Sequence, residues 1–154
     1  MSVNKKTITF LIADDDPDDR LLIKESLEEA RLANPLHFVE DGVELLDYLQ
    51  RKNQYANLAG HPLPGLILLD LNMPRKNGIE ALKEIKADQE LRQIPIVVFT
   101  TSKAEEDIFR TYNLGVNSFI SKPVNFEAFV DVVRTLTKYW FEIVELPQGS
   151  VPNR

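Results

Sequence analysis

Short continuous apolar runs alternate along the chain with longer stretches in which apolar residues return every third or fourth position. The first run, Thr7 to Ala13 (TITFLIA), has no polar face, as expected of a strand covered on both sides. Asp18 to Ala33 follows with helical spacing, and Leu21, Leu22, Leu27 and Ala30 supply its apolar face. Leu36 to Val39 reads as a second strand and Gly42 to Arg51 (GVELLDYLQR) as a second helix. Leu66 to Leu71 (LILLDL) is apolar except for Asp70, which predicts a central strand. Asn77 to Ala87 carries Ile79, Leu82 and Ile85 at helical spacing. Pro95 to Thr100 (PIVVFT) reads as a fourth strand. Ala104 to Leu114 reads as a helix that stops at Gly115, the residue type best suited to a helix C-terminus. Ser118 to Ser121 is a fifth short strand, and a long last helix begins at Asn125. Five strand–helix units in succession predict an α/β fold, an open and doubly wound parallel sheet with helices on both faces.

Composition narrows this picture only where it excludes something. A chain of 154 residues suits one domain with a full core, and a net charge of −6 argues against a broad nucleic-acid or anionic-membrane surface. The absence of cysteine rules out disulfides and thiolate metal sites. No apolar run is long enough to cross a bilayer, and the N-terminus (MSVNKKTITF) lacks the features of a secretory signal, so cytoplasmic residence is expected. His37 and His61 lie far apart without an evident ligand partner. Lys52 to Gly65 (KNQYANLAGHPLPG) is rich in Gly and Pro and reads as a surface loop; the end of the chain (PQGSVPNR) reads as frayed.

In open parallel sheets, chemistry gathers at the carboxyl ends of the strands. Here the first strand ends in Asp14 and Asp15, the third in Asp70, the fourth in Thr100 and the fifth at Lys122. Three carboxylates, a hydroxyl and an ammonium therefore meet on one rim. Singly, each has an ordinary explanation: helix-start carboxylates, a turn-forming Asp, a strand-end Thr, a surface Lys. Asp16, Asp18 and Asp19 read as no more than first-turn or solvated charges. Together, the strand-end residues suit a hard divalent cation held by Asp14, Asp15 and Asp70, with Mg²⁺ preferred because it keeps waters and accepts phosphate oxygens. Lys122 can pair with Asp70 or with an oxyanion attached to it, and Thr100 can donate to the same oxyanion. This is the pattern of an acceptor for phosphoryl transfer.

The segments LIADDD, LILLDLNMP, PIVVFTTS and FISKP together resemble the receiver domains of two-component response regulators, over roughly Thr7 to Leu136. The resemblance implies a flavodoxin-like sheet of order 2-1-3-4-5. It implies Asp70 as phosphoacceptor, Asp15 as direct Mg²⁺ ligand, Asp14 acting largely through water, and Asn72 offering its backbone carbonyl to the metal. It further implies Thr100 as the switch hydroxyl, Phe119 as the switch aromatic, Lys122 as the phosphate-contacting lysine, and a cis Lys122–Pro123 bond. Receivers often carry Ala or Gly where this chain has Thr101. The long Lys52 to Gly65 segment, the run of the last helix through YWFEIVEL, and the segments LNMPRKNG and TTSKAEEDI resemble the stand-alone regulators that partner bacterial and cyanobacterial phytochromes.

The expected organisation is a tail at 1–6, a receiver domain at 7–146 with an extended last helix, and a flexible tail at 147–154. With no second domain expected, output should pass to an unidentified downstream protein and input should come from a sensor histidine kinase of phytochrome type. Nucleic-acid and membrane partners are not expected, nor is a bound cofactor beyond Mg²⁺. From Phe126 onward the apolar positions sweep roughly 200° of the last helix, wider than the stripe of about 100° that docking on a sheet requires. The surplus predicts a homodimer through the last helix, fifth strand and fourth helix. The chain is expected to be a signalling protein rather than an enzyme. The main competitor, a Mg²⁺-dependent phosphatase or hydrolase, would need an acidic residue two positions after Asp70, where Asn72 stands; a dinucleotide-binding domain would need a Gly-rich turn after the first strand. A receiver serving only as an unphosphorylated interaction module is the remaining alternative.

Overall fold

The computed structural model describes residues 8–29, 34–102 and 104–140. Its strands are β1 (Phe10–Ala13), β2 (Leu36–Val39), β3 (Leu66–Leu69), β4 (Ile96–Thr100) and β5 (Ser118–Ser121). Its α-helices are α1 (Pro17–Glu29), α2 (Gly42–Gln50), α3 (Gly78–Ala87), α4 (Glu105–Asn113) and α5 (Phe126–Lys138). The strands form one parallel sheet in the order β2-β1-β3-β4-β5.

The absence of a polar face in the strands follows from how they pack. Side chains alternate across a strand, so Leu11 and Ala13 join Val39, Leu45, Ile67, Leu69, Leu82 and Val98 on one face of the sheet. Phe10 and Ile12 join Ile23, Leu27, Leu68, Val97, Phe99, Phe129 and Val133 on the other. Each such Leu, Ile or Phe contributes about 1.5–3 kcal/mol of burial. Both faces are therefore apolar, and polar side chains enter only where β1, β3 and β4 end, at Asp14, Asp70 and Thr100, all three still buried.

Helix boundaries follow their caps. Asp41 begins α2 by accepting from the Glu44 N–H at 2.8 Å, and Asn77 begins α3 in a reciprocal capping box with Glu80. Asn125 begins α5 by accepting from the Ala128 N–H at 3.0 Å. Gly115 takes a φ of +101° just past α4, a conformation that favours glycine.

Four sequence expectations change. Leu21 is 54% exposed, because the register that Pro17 starts turns Ile23, Ser26 and Leu27 inward instead, a spacing of three and one. The Lys52 to Gly65 segment is not wholly irregular: it contains a 3-10 helix, Asn53–Leu58, held to α2 where Tyr55 donates to Glu44 Oε2 at 2.6 Å. No cis peptide bond occurs among the described residues, so Lys122–Pro123 is trans; the lysine is held instead by its own N–H, which donates to the Thr100 carbonyl at 2.7 Å, and by its side-chain partners. Trp140 is buried among the side chains beneath α1 and α5, so part of the apolar sweep of the last helix is used within the domain. Thr7, Ala30 to Ala33 and Phe141 to Leu146, on which parts of the predicted first strand and of the first and last helices fall, lie outside the described residues.

Candidate functional site

Helix α3 starts unusually close to the end of β3. A Cβ built on Gly78 would lie 2.5 Å from the Asp70 carbonyl oxygen and 2.7 Å from Leu71 Cα, and the Gly78 N–H donates to the Leu71 carbonyl at 2.9 Å. Only glycine permits this approach, and it fixes the backbone of Asp70 against the first turn of α3. On the other side the Asp70 N–H pairs with the Ala13 carbonyl at 2.9 Å, so the ends of β1 and β3 are held level.

Asp14 and Asp70 are buried and Asp15 is exposed; one carboxylate oxygen from each lies within 4.8 Å of the others. Three hard oxygen donors this close suit a divalent cation, and the exposed Asp15 leaves the cluster open to solvent. Thr100, wholly buried, donates through Oγ1 to Asp70 Oδ1 at 2.7 Å. The Asn72 N–H also donates to Asp70 Oδ1, at 3.2 Å, and the Asn72 side-chain amide donates to Thr101 Oγ1 at 3.2 Å. The hydroxyl that distinguishes Thr101 from a smaller residue is thus used to hold Asn72 beside the site. Phe119 is half-buried and packs against the core face beneath α2 and α3.

Lys122 pairs with Asp70 as expected, but two other carboxylates lie closer to it. Its Nζ donates to Asp14 Oδ2 at 2.7 Å and to Asp19 Oδ2 at 2.8 Å, and only at 3.3 Å to Asp70 Oδ2. Asp19 is therefore not a merely solvated first-turn charge. Asp16 does behave as the helix-start carboxylate expected of it, accepting from the Asp18 N–H at 2.9 Å. The partial signal for Asp19 was Pro17, whose fixed φ at the first helical position pins the turn that carries Asp19. Two further contributors were missed. Arg20 donates to the Asp14 carbonyl at 2.8 Å, and Arg75, in the left-handed region at φ 63°, donates through Nε to Asp41 Oδ2 at 2.9 Å, tying the β3–α3 loop to the start of α2.

The charges explain the titration of the cluster. Burial pushes the Asp14 carboxyl up to about 6, against the opposing pull of Lys122. Burial draws the Lys122 ammonium toward neutrality, but the charge of and hydrogen bond to Asp14, the hydrogen bond to Asp19 and the charge of Asp70 outweigh it and hold Lys122 above its ordinary value. Lys122 stays charged, and the excess of carboxylates over ammonium gives the site a net demand for positive charge.

Comparison with known proteins adds four findings. The profile described as the response regulator receiver domain matches residues 10–134. Response regulator Rcp1 of Synechocystis is 38% identical over 144 residues, covering 94% of this chain and 95% of that protein. Among solved structures, the phosphorylated cyanobacterial phytochrome response regulator RcpA superposes with a TM-score of 0.85 at 38% identity, covering 92% of this chain and 99% of that one. The Mn²⁺-bound form of Rcp1 gives the same TM-score, 0.85, at 37% identity over 91% of this chain and 99% of that one.

Proposed function

This chain belongs to the response regulator receiver family, and from that premise we propose that it accepts a phosphoryl group on Asp70 from a phytochrome-type sensor histidine kinase. The observation that carries this is the convergence on Asp70 of the Thr100 hydroxyl at 2.7 Å and the Lys122 ammonium at 3.3 Å, beside Asp14 and Asp15. An Asp70 carboxylate oxygen attacks phosphorus, the P–N bond of the kinase phosphohistidine breaks, and the imidazole leaves with the bonding pair. Thr100 and Lys122 then donate to the phosphoryl oxygens.

Asp14, Asp15 and Asp70, with the backbone carbonyl of Asn72, hold Mg²⁺ in this reading; a solved relative carrying Mn²⁺ supports a divalent ion there. When bound, the cation neutralises charge on the transferring group. Asn72 itself supports a phosphoacceptor over a hydrolase, since its amide is committed to Thr101 and supplies no carboxylic acid.

The receiver unit extends over 7–146, with 1–6 and 147–154 as tails, and works in the cytoplasm. Among the described residues no helix is long and apolar enough to cross a membrane. Thr100 and Phe119 act as the switch, and a changed α4–β5–α5 surface signals to a downstream protein. A second copy of the chain pairs on that same surface. Support for pairing comes from Phe109 at 73% exposure, with Tyr112 and Tyr139 each at 50%, and from an apolar groove of about 460 Å³ lined by Ile120, Val132, Leu136 and Tyr139.

The test is intact-mass spectrometry after acetyl phosphate treatment with Mg²⁺. The wild type should gain one phosphoryl group and Asp70→Asn none. Stoichiometric phosphorylation of the Asn variant would remove Asp70 from the role.

A further inference from the structure

An ammonium group has three N–H donors and no acceptor, so the partners of a buried lysine can be counted against its capacity. All three donors of Lys122 are taken: Asp14 at 2.7 Å, Asp19 at 2.8 Å and Asp70 at 3.3 Å. The residue placed to receive the phosphoryl group has the longest of the three bonds. The nearer competitor from α1 is Asp19, whose backbone is held in place. Asp16 Oδ1 accepts from the N–H groups of both Asp18 (2.9 Å) and Asp19 (3.4 Å), and Pro17 fixes the start of the helix. Asp19 also stands outside the trio of carboxylates that can share a cation, so Lys122 is its link to the site.

We infer that Asp19 is a positioning residue which holds one N–H of Lys122 away from Asp70 until a phosphoryl oxygen competes for it. This rests on the phosphoacceptor role of Asp70. Two physical effects then act in the same direction. Asp19 withholds a charge-assisted hydrogen bond from the incoming group, and its own negative charge, only partly screened at 23% exposure, opposes the arrival of a dianion. The resting protein is thereby made a poorer acceptor than Asp70 and Lys122 alone would be.

The two effects separate experimentally. Beryllofluoride adds to a carboxylate as a phosphoryl-like group, so its half-saturation in excess Mg²⁺, followed by NMR, reads acceptor quality without turnover. Asp19→Asn should bind beryllofluoride about fivefold more tightly than wild type, the equivalent of one modest hydrogen bond. Asp18→Asn removes the same charge one residue away, from an exposed side chain, and should change half-saturation by less than about 1.5-fold, as expected of a screened surface charge. In a Lys122→Met background, Asp19→Asn should keep only the small shift of a screened charge, no larger than that of Asp18→Asn. Asp19→Glu, which keeps a carboxylate within reach of Lys122, should return half-saturation toward wild type. Equal shifts in Asp19→Asn and Asp18→Asn would overturn the inference, reducing Asp19 to bulk charge; so would an effect of Asp19→Asn that persists at full size without Lys122. A wild-type chain that binds no beryllofluoride and gains no phosphoryl group overturns the phosphoacceptor role itself, an outcome distinct from either.

Discussion

Asp14 shows how much a single buried carboxyl can decide. Its pKa of about 6 places a proton in competition with any cation bound beside it. Divalent-metal affinity should therefore fall by about tenfold for each pH unit below 6, following one proton per cation. Stability of the metal-free protein should move the other way. The folded pKa lies above the ordinary carboxylate value of 3.8, so between about pH 4 and 6 the folded state binds more protons than the unfolded state. The contribution of Asp14 to stability thus rises as pH falls through 6 and is complete near 4. Calorimetric Mg²⁺ titrations from pH 5 to 7.5, with urea unfolding of metal-free wild type and Asp14→Asn over pH 4 to 7, check both signs. A flat wild-type affinity, or an Asn variant with the same pH response, would count against Asp14. At this scale the sequence was informative for residues that follow an apolar run directly, since strand ends converge by topology. It was uninformative for Asp19 and Arg75, because their partners, Lys122 and Asp41, lie 103 and 34 residues away and neither residue ends a strand.

Elements were legible where periodicity and caps agreed. β2 and β5 have the predicted bounds, and α3 begins where Asn77 and Glu80 form their capping box. The 3-10 helix Asn53–Leu58 was hidden because neighbouring Gly and Pro signal irregular chain, and because its anchor is tertiary. Tyr55 meets both Glu44 and His37 there, with His37 Nε2 3.1 Å from the Tyr55 hydroxyl. The contact between α3 and Asp70 carries the sharper test. Gly78→Ala would gain a little helix propensity, but its Cβ would press on backbone atoms that cannot turn aside. Overpacking should win, with a destabilisation of about 1–3 kcal/mol in urea unfolding. Because the displaced atoms belong to Asp70 and Leu71, Mg²⁺ affinity should fall in the same variant. Unchanged stability and unchanged metal binding would show that the loop yields freely.

At the scale of the whole molecule, the apolar residues of the last helix divide between the core and the proposed dimer surface. Trp140, at 7% exposure, belongs to the core, so replacing it tests folding. Tyr139, half exposed and lining the β5–α5 groove, tests association. Analytical ultracentrifugation at tens of micromolar should find a dimeric wild type and a monomeric, folded Tyr139→Glu; a monomeric wild type, phosphorylated or not, would end the dimer proposal. The sheet as a whole also falls in burial from its centre to one edge. β3 and β4 are buried throughout, whereas every residue of β5 is only half-buried, and the Phe119 N–H is held by the Tyr112 hydroxyl of α4 rather than by a further strand. In terms of time, this grades the molecule. Amides of β3 should exchange with solvent only through global opening, and those of β5 through local opening that is far cheaper and more frequent. Asp70 thus stands at the end of a strand that almost never moves, while Phe119 lies on one that opens often. In the proposed role, a covalent change at Asp70 need only bias such an opening at the edge, and the core would keep its shape while the surface reports.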